Sequence, residues 1–327
     1  MTDPRLPRPR GAVSQTLLDT LRRPAGSALA PPPASFDPWS DDAQLALYAC
    51  YELHYRGFAD VDPAWEWDPG LIRVRAALEE AFLDVLRAGT GADEDAEAVL
   101  APLLTEPDEG SGISHHLLRD GDLDQFREYV IHRSVYHLKE ADPHALLIPR
   151  LTGRAKAAVV TVEFDEFGGG RAERMHATLF ADLMRGLGLD DGYGHYLDRV
   201  PAAMLAVVNL MSTFGWHRGR RGMMVGHFAA AEISTPPSAA RLARALDRLG
   251  VADPACALFY TEHVEADAVH EQLMRREVVA TMLAEEPALE PDIVFGVQAT
   301  ELVEERFAEH VMTAWKNGRS SLLPPLA

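Results

Sequence analysis

The chain has 327 residues, 47% of them hydrophobic and 25% charged, which is enough apolar material for one large or two modest domains and excludes a disordered polymer. Acidic residues outnumber basic ones 50 to 31, and the formal net charge of −19 repels phosphate backbones and anionic lipid, so neither nucleic acid nor a membrane is expected as a partner. Two cysteines, Cys50 and Cys256, are too few for a disulfide framework or a thiolate metal site and fit a reducing cytoplasm.

The opening MTDPRLPRPRG is basic but lacks the apolar stretch of a signal peptide, and the most apolar run, Ala202 to Met211, is too short to cross a bilayer. A cytoplasmic location is therefore expected. Residues 1–40 carry Arg and Pro and then PAGSALAPPPASFDP, a composition expected to sustain no periodic structure and to form a Pro-rich arm outside a helical domain over 41–327.

From Ser40 the pattern turns helical: SDDAQLALYACYELHYRGF opens on an N-cap residue with acids in the first turn, then repeats apolar positions three and four apart. Trp65 and Trp67 fall in a loop, DVDPAWEWDPG, ahead of an amphipathic helix over 71–88, and the Gly- and Asp-rich stretch after it reads as a connection. Further helices are expected over 123–140, over 155–188 with an interruption, over 196–214 and over 222–232. Pro236 and Pro237 are expected to reset the chain, Gly250 to cap a helix, and the segments 254–286 and 291–317 to close the protein. VVTV at 159–162 is β-branched but runs into an acidic helical pattern and reads as buried helix. There is no alternating strand, internal repeat, P-loop or dinucleotide fingerprint, so the expected class is all-α, a bundle of seven or more helices.

Bundles build metal sites from Glu, Asp and His that project inward from facing helices. Four places put such residues among apolar neighbours. Glu140 ends the helix in YVIHRSVYHLKEADPH, where solvation is the plain alternative. VVTVEFDEFGGGRAERMHATLF carries Glu163, Glu166 and His176; ten residues at about 100° each leave Glu166 and His176 roughly 80° apart on an ideal helix, and the three glycines between them read either as a close approach or as a loop. Glu232 follows three alanines in GHFAAAEISTPP, with a solvated helix end as the alternative. In FYTEHVEADAVHEQ, His263, Asp267 and His270 stand at i, i+4 and i+7 on one helical strip, either a polar stripe or a ligand set for a divalent cation. HExxH and HxxEH signatures and a nucleophile elbow are absent, which disfavours hydrolysis.

Together these places resemble the heme-oxygenase-like diiron oxidases and oxygenases, also called iron-containing redox enzymes, over about 45–317, and most of all their N-oxygenating branch. The resemblance implies a heme-oxygenase-like helical fold and a seven-ligand pattern: Glu140, Glu166, His176, Glu232, His263, Asp267 and His270. Glu166 would bridge, with Glu140, His176 and His263 on one iron and Glu232, Asp267 and His270 on the other; Glu52 and His54 of ACYELHYRGF receive no ligand role. The implied cofactors are two Fe(II)/Fe(III) ions, with O2 as co-substrate and an external electron donor. A small-molecule substrate, a reductase and a homodimeric state complete the expectation. The implied reaction is oxygenation of an amine, amidine or guanidine nitrogen in a small amino-acid-derived metabolite. Desaturation or C–C cleavage at the same site is the alternative chemistry, and a heme-binding protein or a non-catalytic iron-binding protein the alternative of another class.

Overall fold

Ser40 accepts a hydrogen bond from Ala43 N and caps α2 (Asp41–Glu52), whose first turn holds Asp41 and Asp42 at the positive end of the helix dipole. The computed structural model describes residues 4–91, 95–105 and 110–325, with the side chains of residues 265, 267 and 268 also left undescribed. Among the described residues the protein is all-α.

The N-terminal segment departs from the expectation of no periodic structure. Residues Ala12–Leu21 form a helix, α1, that packs on α2 and buries Val13, Leu17, Leu18 and Leu21. Asp42 of α2 accepts hydrogen bonds from Val13 N and Ser14 N, so α1 receives its N-terminal cap from its neighbour rather than from its own sequence. Trp65 and Trp67 sit in a 3-10 turn, Pro63–Trp67, where the buried Trp65 indole donates to Arg23 O.

Asp68 then caps α3 (Pro69–Gly89), and the Gly- and Asp-rich connection after it falls partly on 92–94, outside the described residues. Two short helices, α4 (Ala96–Leu100) and α5 (Ile113–Arg119), precede α6 (Leu123–His137), which opens on a capping box between Asp122 and Gln125. The short α7 (Asp142–Ala145) leads to α8 (Gly153–Glu166), α9 (His176–Gly186) and α10 (Ala202–Gly215). In α8 Val159 and Val162 are buried whereas Val160 is exposed, so VVTV is helical but lies across the boundary of the core.

Pro236 and Pro237 do not reset the chain. They lie inside one helix, α11 (Arg221–Arg248). The prolines remove the donors that would reach the carbonyls of Glu232 and Ile233, and the hydroxyls of Ser234 and Thr235 fold back onto Ala230 O and Ala231 O in the same turn. Burial of Met224, Phe228 and Ile233 before the prolines, and of Leu242 and Leu246 after them, keeps both halves on the core and outweighs the local breaker.

The chain continues through α12 (Pro254–Gln272), a π-helical stretch over Leu273–Val279, α13 (Ala280–Glu285) and α14 (Glu290–Lys316). Helix α11 packs against α12 on one side and α14 on the other. Its crossing with α14 is set by Gly226 and Gly296, where an added Cβ would lie 2.0 Å from Ile293 O and Met223 O respectively. Among the described residues no helix is long and apolar enough to cross a membrane.

Candidate metal centre

Six of the seven residues singled out in the sequence are described with their side chains, and all six are buried. Glu140 lies in the turn after α6, Glu166 is the last residue of α8, His176 the first of α9, Glu232 lies in the middle of α11, and His263 and His270 belong to α12. Asp267 lies on α12 between the two histidines, and its side chain falls outside the described residues.

The glycines between α8 and α9 are a loop. Gly168, Gly169 and Gly170 have φ of 70°, 62° and 78°, in the left-handed region that β-carbon sterics close to most residues. At Gly168 an added Cβ would stand 2.6 Å from Arg174 C and Met175 N. This tight reversal brings the end of α8 onto the start of α9 and sets Glu166 Oε2 2.8 Å from His176 Nδ1.

Two groups of potential ligand atoms result, each with all atoms within 4.8 Å of one another: Glu140, His176 and His263, and Glu166, Glu232 and His270. In the first, the backbone oxygen of Phe259 lies 2.7 Å from His263 Nδ1; Nδ1–H donating there leaves the Nε2 lone pair directed at Glu140 Oε2, 3.6 Å away. His137 Nδ1 lies 2.8 Å from the other Glu140 oxygen. Burial opposes ionisation of Glu140, yet His137 and His263 hold its carboxyl well below the usual carboxylate range.

In the second group His270 Nδ1 is 3.2 Å from Glu232 Oε2 and 4.0 Å from Glu166 Oε1, while its Nε2 is 3.2 Å from Asp165 Oδ2. Glu166 therefore turns one oxygen toward His176 of the first group and the other toward His270 of its own. A void of about 20 Å³ lies between the groups, bordered by Glu140 and His263 on one side and Glu166 and Glu232 on the other.

These residues fit divalent metal ions on their own chemistry. Among the described residues Glu140 Oε2, Glu166 Oε2 and His176 Nδ1 are buried and make no hydrogen bond, although Glu166 and His176 are close enough for one. Among the described residues the ion pairs of Glu140 and Glu166 are with imidazoles, which carry a positive charge only when protonated. Carboxylates and imidazoles whose lone pairs converge are the donor set of a helical metal site.

Three neighbours were not singled out in the sequence as members of the site. His137 hydrogen-bonds Glu140, Asp165 lies against His270, and His144 is buried and borders the void between the groups. Asp165 adjoins Glu166 in the sequence and His137 stands three residues before Glu140, but helical spacing does not distinguish a residue that holds a ligand from one that faces water.

A larger cavity of about 500 Å³ reaches the first group at Glu140 and His263, and Tyr136, Ala231 and Thr235 border both it and the small void. Its wall includes Arg133, paired through two hydrogen bonds to Glu304, together with Arg241, Tyr129 and Tyr260. A groove of about 670 Å³ beside the C-terminal segment is bigger but touches none of the candidate ligands.

Two carboxylate–imidazole groups side by side in a helical core, with Glu166 of one lying against His176 of the other, form the kind of donor set that helical metalloproteins use. The chain belongs to the iron-containing redox enzyme family, whose model matches residues 127–305, a span that includes every candidate ligand. Nitrosourea synthase from Streptomyces achromogenes subsp. streptozoticus is 24% identical over 265 residues, or 76% of this chain; the chain covers 55% of that relative and so spans about half its length. The crystal structure of a CADD-like protein of unknown function from Nostoc punctiforme resembles it with a TM-score of 0.49 and 16% identity, over 71% of this chain and 95% of that one.

Proposed function

We propose that the protein is a non-heme diiron oxidoreductase that uses O2 to oxygenate an amine, amidine or guanidine nitrogen of a small amino-acid-derived metabolite. The observation that carries the two-metal reading is the placement of the two Glu166 oxygens, one toward each group of ligands. In this reading Glu140, His176 and His263 would hold one iron and Glu232, Asp267 and His270 the other, with Glu166 a ligand available to both. When bound, two ferrous ions would supply electrons to O2.

The chain's own groups prepare the reaction. His263 Nδ1 and His270 Nε2 are engaged by Phe259 O and Asp165, which orients the remaining nitrogens toward the carboxylates. Substrate would enter the 500 Å³ cavity, which sets Arg133, Arg241, Glu304 and tyrosines among apolar side chains such as Val207, Leu242 and Phe259. Nitrogen as the atom oxidised is favoured by the relative named as a nitrosourea synthase. Inserting one oxygen atom and reducing the other to water needs two electrons and two protons beyond the substrate, hence an external donor and a reductase.

The test loads the protein anaerobically with Fe(II), adds a chemical reductant and candidate amines, amidines or guanidines, and admits 18O2. The reading predicts substrate-dependent oxygen consumption and a product carrying labelled oxygen on nitrogen. Desaturated or cleaved products without labelled nitrogen would replace N-oxygenation by the alternative chemistry, and a loaded protein whose oxygen uptake no candidate accelerates would remove the N-oxygenase reading.

A further inference from the structure

Glu163 stands three residues before Glu166 on α8, a spacing that places both on one helix face. It is 2% exposed, and among the described residues neither of its carboxylate oxygens has a hydrogen-bond partner. Burial first, and then the nearby Glu166 and Glu232, push its carboxyl well above the usual range. His270 is the nearby group that favours its charge.

Two interior glutamates away from the candidate ligands are treated differently. Glu52 receives Lys139 and the Tyr193 hydroxyl, and Glu79 receives Arg75, Arg220, His217 and Tyr51. Those carboxylates are neutralised by cations of the chain itself. Among the described residues Glu163 has no such cation, and protonation alone would still leave a buried acid without a described partner for its hydroxyl or its carbonyl. A cation bound at Glu166, Glu232 and His270 supplies what this side chain lacks.

We propose that Glu163 is a further carboxylate ligand of the metal ion held by Glu166, Glu232 and His270. The proposal rests on reading that group as a metal site. Glu163 then joins Glu166 in presenting carboxylates from one turn of α8, and the ion it binds is a divalent metal with oxygen and imidazole ligands.

The full chain is titrated anaerobically with Co(II), following d–d absorption and bound stoichiometry, as wild type and as Glu163→Gln, Glu163→Ala and Glu163→Asp. Glu163→Gln keeps shape and removes the charge. The expected result is two equivalents bound by wild type, with one weakened about 10-fold or more in Glu163→Gln and Glu163→Ala and partly restored in Glu163→Asp. Both equivalents binding to Glu163→Gln with wild-type affinity overturns the proposal while leaving the metal centre intact. Wild type that binds no ion at this group overturns the metal reading itself. Should the variants misfold, a crystal structure of Co(II)-loaded wild type decides: a Glu163 oxygen at coordination distance from the ion supports the proposal, and one pointing away refutes it.

Discussion

Glu166 and His176 stand ten residues apart in the chain and 2.8 Å apart in space, with both atoms buried and without hydrogen-bond geometry between them. A glycine turn in the left-handed region makes the approach, and in the proposed metal centre a shared cation would give both lone pairs a partner. Replacement of Glu166 by Ala is therefore expected to disturb both metal positions, because its two oxygens face different groups. His176→Ala is expected to weaken only the ion at Glu140 and His263. Iron stoichiometry after anaerobic loading and desalting checks both variants; full occupancy in Glu166→Ala would show that this residue is not the link between the groups.

Asp165 lies 3.2 Å from His270 Nε2, on the far side of the ring from Glu232. A carboxylate there fixes the tautomer and raises the basicity of the opposite nitrogen, and loss of such a partner costs roughly 10–100-fold in metal affinity. Asp165→Asn is expected to weaken the ion at His270 by a factor in that range and to leave the other nearly unchanged. Isothermal titration with Co(II) resolves the two; equal affinities in variant and wild type would remove Asp165 from the support of the site.

The crossing of α11 and α14 should tolerate no side chain at Gly296, since its added Cβ would fall 2.0 Å from Met223 O, a backbone atom that moves only with its helix. Gly296→Ala is expected to cost about 3 kcal/mol or more, the upper part of the range for overpacking. Urea denaturation of the metal-free protein measures it. A loss below about 1 kcal/mol would mean that the helices part easily at this point.

His227 is buried on α11, and the Thr300 hydroxyl, which itself donates to Gly296 O, lies 2.8 Å from its Nδ1. Burial pulls its pKa from 6.5 down to about 4. Between those values the unfolded chain holds a proton that the folded chain refuses, so stability falls as pH is lowered through this window, by about 3 kcal/mol at its lower end. His227→Asn should flatten the dependence of the urea midpoint on pH between 6.5 and 4. An unchanged slope would place the acid sensitivity in other groups.

Much of the helical pattern was legible because apolar periodicity and caps agree with the packing: Ser40 and Gly-bounded ends fall near where the sequence puts them. Helix α1 was hidden because its cap comes from Asp42 of another helix and its apolar stripe is flanked by Arg and Pro. The prolines of α11 misled because a breaker signal is local, whereas Leu242 and Leu246 bury against distant helices. At the candidate site, spacing and resemblance pointed to the six described residues that the fold gathers into two groups. His137, Asp165 and His144 were not legible, since their part depends on which neighbour the folded backbone sets beside them.

The proposed chemistry depends on a pair of metal ions held by carboxylates and imidazoles inside the helical core. Mössbauer spectroscopy of the protein loaded anaerobically with 57Fe(II), with iron counted per chain, tests it most directly. Two high-spin ferrous ions per chain, converted together to the ferric state by O2, are expected. One iron or none per chain, under conditions where the protein remains folded, would contradict it.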